Sequence, residues 1–122
     1  MTLIDDLFVV IESSATDTGF STTLELNPGH IIYSGHFPGH PVTPGVIQMQ
    51  IVHELLENHL GKNLKLITVG QCKFLKILNP NLTSGIVIHI ELKEIDDLIN
   101  IKARGENGTD IFFKLNSVYQ FI

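Results

Sequence analysis

Residues Gly35 to Gln50 read GHFPGHPVTPGVIQMQ, a loop crowded with glycine and proline that runs straight into a helix. Proline fixes φ and glycine reaches backbone regions closed to other residues. Together with Gly29, Gly35 and Gly39, Pro38 and Pro41 exclude a regular helix or central strand between Asn27 and Thr43. Thr43 is placed to cap the helix, and Pro44 to occupy its first turn, where a missing N–H costs nothing. From there Val46, Ile47, Met49, Ile51, Val52, Leu55, Leu56 and Leu60 recur at helical spacing up to a stop at Gly61. That leaves Gln50, His53, Glu54 and Glu57 as one narrow polar stripe. A helix apolar round most of its circumference has to be wrapped by other elements.

Those elements read as strands. Upstream, Leu7 to Ile11 is a short apolar run, Glu12 to Thr18 is polar, and the Thr-rich segment Phe20 to Leu26 is a strand. Downstream, the run Leu64 to Leu78 ends at Asn79-Pro80. Strict alternation follows: Ile86, Ile88, Ile90 and Leu92; then Ile99, Ile101 and Ala103; then Ile111, Phe113, Leu115, Ser117, Tyr119 and Phe121 each share a face. Asp96-Asp97 and Asn107-Gly108 separate these runs as turns, the second a strong hairpin signal. The expectation is a single α+β domain over residues 1–122, with one long central helix packed on a curved antiparallel sheet.

Composition narrows the function. The chain has 122 residues, 43% of them hydrophobic and 17% charged, enough for one packed core and too few for two. A net charge of −5 with eight basic residues gathers no nucleic acid. Lys73 and Lys76 form a local basic patch able to meet an acidic protein, although an ordinary solvated strand face is the commoner origin of such a pair. Cys72 is the single cysteine, which rules out a disulfide framework and fits a reducing, cytoplasmic setting. In its strand it is more simply a small core residue than a nucleophile. The start MTLIDDLFVVIESS reads as a first structural element rather than a targeting signal, and no stretch is long enough for membrane insertion. His30, His53, His59 and His89 lack paired-ligand spacing, so no metal is expected.

The loop and helix, together with Cys72-Lys73-Phe74-Leu75-Lys76 and Asn79-Pro80, resemble the 3-hydroxyacyl-acyl-carrier-protein dehydratase family of hot-dog-fold proteins. Its loop typically reads HFPGxPVMPGV and is followed by a helix carrying Glu or Asp. The match is close over Gly35 to Val46. The resemblance implies a hot-dog fold and removal of water from 3-hydroxyacyl thioesters to give trans-2-enoyl thioesters, in fatty acid or polyene-type biosynthesis. It assigns His36 as the base that takes the proton beside the carbonyl, and the Gly45 N–H as a donor to the thioester oxygen, with Phe37 and Val46 against the substrate. It implies an acyl carrier protein as the substrate's bearer, no cofactor, and a homodimer or trimer of dimers whose sites are completed across chains. A histidine suits proton abstraction, and the free N–H groups of a first helical turn suit a developing oxyanion. His40 is read as finishing the loop by bonding backbone groups.

The departure lies at the acid. Counting along the helix, Gln50 stands where that family has its carboxylate, and Glu54, one turn on, stands where many members have Gln. An amide cannot donate and regain a proton. Four residues along a helix leave a rise of about 6 Å and an offset of about 40°, so Glu54 can lean back towards Gln50 and relay a proton through a held water. Three alternatives stand beside that reading: a weakened or inactive subunit of a hetero-oligomer whose partner supplies the carboxylate, a hot-dog thioesterase, and a module that binds acyl thioesters without turnover.

Overall fold

The computed structural model describes residues 2–122. Its elements are strands β1 (Phe8–Ala15) and β2 (Gly19–Leu26), a one-turn helix α1 (Ile32–Gly35), the long helix α2 (Gly45–Leu60), and strands β3 (Leu64–Phe74), β4 (Gly85–Ile95), β5 (Leu98–Asn107) and β6 (Asp110–Phe121). The strands form one antiparallel sheet in the order β1-β2-β4-β5-β6-β3, with bulges in β1 and β3 and at the β5–β6 pair that let it curl.

The alternation in the sequence places the core. Ile86, Ile88 and Ile90 of β4, Ile99, Ile101 and Ala103 of β5, and Phe113, Leu115 and Tyr119 of β6 are all buried on one face. They join Phe20 and Leu24 of β2 and Ile47, Ile51, Val52, Leu55 and Leu56 of α2 in one hydrophobic cluster. Each such aliphatic side chain contributes on the order of 1.5–3 kcal/mol on leaving water. A helix gripped by a curled sheet is the hot-dog arrangement, as expected. Among the described residues no helix is long and apolar enough to cross a membrane.

Several local expectations need correction. Thr43 does not cap α2: Pro44 is the N-cap, at φ −59° and ψ 149°, and no side chain bonds the end. The Thr43 hydroxyl is instead spent on the buried Tyr33 hydroxyl at 2.9 Å. The Gly/Pro loop, expected to hold no regular helix, contains the single turn α1. The run Leu64 to Leu78 is a strand only as far as Phe74. At the last hairpin Asn107 stays in β5 and Gly108, at φ 58°, opens the turn, one residue later than the Asn-Gly signal suggests. The Asn107 side chain donates to the Gly85 carbonyl at 2.7 Å, which ties it to the neighbouring strand.

The polar stripe of α2 is the largest revision. It does not simply face water. His53 Nε2 lies 2.9 Å from the Leu64 carbonyl, and Glu57 accepts the Leu64 N–H at 2.8 Å, so both clasp the start of β3. Glu54 is only 8% exposed, and Val46, counted among the apolar residues, is 71% exposed. The stop at Gly61 is as expected, with φ 66°.

Candidate active site

The loop before α2 is stiffened by its own backbone. The Phe37 N–H donates to the His40 carbonyl at 2.9 Å, and the His40 N–H to the Phe37 carbonyl at 2.8 Å. Pro38 and Gly39, the latter at φ 78°, fill the tip of this turn as a type II geometry requires. One step outward the Val42 N–H donates to the His36 carbonyl at 2.7 Å, and Thr43 N–H to the Leu78 carbonyl at 2.9 Å. His36 therefore stands at the base of a closed hairpin-like loop, with its imidazole exposed and edge-on to the Phe37 ring at 5.2 Å. Phe37, 54% exposed, and Val46 form an apolar surface beside it.

At the start of α2 the first acceptor inside the helix is the Pro44 carbonyl, taken by the Ile47 and Gln48 N–H groups at 3.0 and 3.1 Å. The N–H groups of Gly45 and Val46 precede any intrahelical acceptor and have no backbone partner among the described residues. Gly45 has a second reason to be glycine: a Cβ there would meet the Phe74 ring at 2.5 Å. Helix and β3 thus touch through a position where only hydrogen fits. Gly45, Phe74, Val42 and the segment Leu75 to Leu78 line a cavity of about 300 Å³. Gln48, buried to 4% exposure, also lines it. Its Nε2 holds the Thr43 carbonyl at 2.9 Å, and its Oε1 is buried with no partner among the described residues. Sequence reasoning passed over Gln48 as part of the helix's apolar surround; its polarity at a core-facing position was the available signal.

Gln50 and Glu54 do come together. Gln50 Nε2 donates to Glu54 Oε2 at 3.0 Å, a direct bond with no water between. The same carboxylate also accepts the Leu3 N–H on both oxygens, at 2.7 and 2.9 Å, and the Ile4 N–H at 2.9 Å. Glu54 therefore fastens the N-terminal segment to α2. Among the described residues of the single chain, these backbone groups and the Gln50 amide are the partners Glu54 holds. Cys72 is half-buried, and burial pushes its thiol up from the ordinary value, which suits a packing residue.

The family described as ApeI-like, ApeI dehydratase, matches residues 12–109, a span containing the loop and all of α2. The 3-hydroxyacyl-acyl-carrier-protein dehydratase FabZ of Lactobacillus helveticus is 28% identical over 102 residues, covering 67% of this chain and 68% of the relative. The FabZ of Lactiplantibacillus plantarum is 29% identical over 104 residues, and there the match spans 70% of this chain and 64% of the relative. Among solved structures, a chain of the dehydratase heterocomplex ApeI:P from Xenorhabdus doucetiae superposes with a TM-score of 0.74 at 19% identity, covering 92% of this chain and 96% of that one. That likeness establishes the fold.

Proposed function

The chain belongs to the ApeI-like dehydratase family, and on that footing we propose that it dehydrates 3-hydroxyacyl thioesters borne on an acyl carrier protein. In this reading a ring nitrogen of His36 takes the proton from the carbon beside the thioester carbonyl. Negative charge gathers on the carbonyl oxygen, which the Gly45 and Val46 N–H groups receive. The 3-hydroxyl then leaves as water with one added proton, and a trans-2-enoyl thioester remains. Phe37 and Val46 press on the acyl chain. The observation that carries the proposal is the self-bonded loop presenting an exposed His36 one short segment before the open N–H groups of a glycine-initiated helix. Proton donation to the leaving hydroxyl falls to Glu54 in its protonated form, acting through a water admitted with substrate, while Gln50 orients the hydroxyl without carrying the proton itself.

A second reading draws on Glu54. Its oxygens already hold two backbone N–H groups and the Gln50 amide. An acid so engaged fits a chain that lends His36 to a shared site and takes its carboxylate from a different partner chain. The structurally similar protein from Xenorhabdus doucetiae belongs to a dehydratase heterocomplex, which is in keeping with this reading. In either case assembly into a dimer or larger oligomer completes the site. Fatty acid and polyene-type biosynthesis are the pathway classes that use such a step.

The test is turnover by the purified chain alone. Enoyl absorbance appearing from a carrier-bound 3-hydroxyacyl chain, and lost in Glu54→Gln as in His36→Ala, supports the first reading. Activity appearing only when a second dehydratase-like chain is added supports the other. Release of free thiol without enoyl formation would mark a thioesterase and contradict both.

A further inference from the structure

The cavity at the start of α2 brings together two unmet hydrogen-bonding needs of opposite kind. On one side stand the Gly45 and Val46 N–H groups, donors with no backbone partner among the described residues. One helical turn on, in the same cavity lining as Gly45, stands Gln48, whose Oε1 is buried and has no donor among those residues. Buried polar atoms are nearly always bonded, because the water lost on burial has to be replaced. A Leu or Met at this position would fill a similar volume without stranding an acceptor, so the amide stands here at a cost that packing does not require.

The surroundings fix which atom is left over. Gln48 Nε2 donates to the Thr43 carbonyl at 2.9 Å, and turning the amide over would set Oε1 against that carbonyl, acceptor against acceptor. The polar side chains in the lining are engaged elsewhere: the Thr43 hydroxyl with Tyr33 at 2.9 Å, and the Lys76 ammonium with Asp110 at 2.8 Å. The rest of the lining, from Phe74 and Leu75 to Ile77 and Leu78, brings no side-chain donor.

Gly45 divides the thioester in two. His36, Phe37 and Val46, which meet the acyl chain and its reacting carbons in the reading above, are not part of the cavity lining. With the thioester oxygen on the Gly45 N–H and the acyl side towards His36, the sulfur side is left facing the cavity. From sulfur the carrier's arm continues through two methylenes to a secondary amide, whose N–H is its first hydrogen-bond donor. We propose that Gln48 is a specificity-determining residue: its Oε1 accepts that N–H, so the site selects amide-bearing thioesters over simple ones. This rests on the thioester reading above and adds to it the part of the arm that is recognised.

Saturation-transfer NMR titrations with two butyryl thioesters, neither of which has a 3-hydroxyl to lose, test it. One is the N-acetylcysteamine thioester; the other is its 2-acetoxyethyl counterpart, in which an ester oxygen replaces the amide N–H. The wild type binds the first about tenfold or more tighter. Gln48→Met removes that preference, whereas Gln48→Glu, which keeps an acceptor oxygen, retains it. A purely structural Gln48 would weaken both ligands alike in Gln48→Met and leave their ratio unchanged. That unchanged ratio, equal binding of the two ligands by the wild type, or binding of neither would overturn the proposal, and the wild-type comparison decides it even where a variant fails to fold. Enoyl formation from 3-hydroxybutyryl-N-acetylcysteamine is scored separately. Preference for the amide without enoyl product would uphold the role of Gln48 and sink the dehydratase reading; enoyl product without the preference would do the reverse.

Discussion

Glu54 is the residue whose role the structure changes most. Its side chain type, in a stripe beside Gln50, invited a chemical reading, yet the carboxylate is buried and holds the Leu3 and Ile4 N–H groups. Removing it strands one buried and one partly buried donor. Glu54→Ala is therefore expected to lose about 3 kcal/mol of stability in urea unfolding. Glu54→Gln, which keeps an acceptor, should lose less. If Glu54 also donates a proton, Glu54→Gln drops turnover by about 10²-fold or more with little change in KM; a purely structural Glu54 leaves turnover intact at temperatures where the variant is folded. Gln50→Glu carries the complementary expectation. It would set two carboxyl groups about 3 Å apart, where they share a proton, so that one stays protonated at higher pH than an isolated carboxyl. A raised kcat and a new limb on the alkaline side of the pH profile are the expected outcome. Gly45→Ala must push the Phe74 ring aside and is expected to cost about 1–3 kcal/mol, with stability partly recovered by adding Phe74→Leu.

At the scale of elements, periodicity decided most of what was legible. The span of α2 and the inward faces of β4, β5 and β6 follow from apolar spacing, since burial on one face imposes that spacing, and the Gly61 stop follows from glycine's fitness for the left-handed C-cap. What spacing cannot show is where a polar side chain finds its partner. Thr43 looked like a cap because of its position before Pro44, but the Tyr33 hydroxyl, ten residues upstream, claims it. The stripe of α2 showed its polarity but not its partners, because the acceptors and donors it serves, at Leu64, Leu3 and Ile4, are backbone groups that leave no trace in sequence. Likewise Ser21, His89 and Glu106 lie on three strands and meet only through sheet register. That network predicts a pH dependence. Burial alone would raise the Glu106 carboxyl, but the bonds and charges of His89 and Arg104 outweigh it and hold the group below its ordinary value of 4.5. A carboxyl depressed in the folded state stabilises at pH above its unfolded value, and the benefit fades as pH falls through the folded value. Glu106→Gln should therefore be less stable than wild type at neutral pH, by on the order of 1 kcal/mol. The two should converge in acid, as urea midpoints measured across that range would record.

On the scale of the whole molecule, the fold is the hot-dog framework and the family match places the chain among the ApeI-like dehydratases. Strand β3 closes one edge of the sheet and shows Leu66, Ile67 and Val69 to the outside. An exposed apolar edge strand offers unpaired backbone groups and is normally covered. A second chain added there would also cover Phe37 and Val46 if it reached the start of α2. Light scattering is expected to give a dimer or larger species, and Val69→Lys to shift it towards the monomer. The decisive measurement is formation of a trans-2-enoyl thioester from a carrier-bound 3-hydroxyacyl substrate, comparing wild type with His36→Ala. Enoyl product from the wild type, alone or with a partner dehydratase chain, and its loss by about 10²-fold or more in His36→Ala is the predicted result. Equal product from both proteins, or none from the wild type under either condition, would contradict the account.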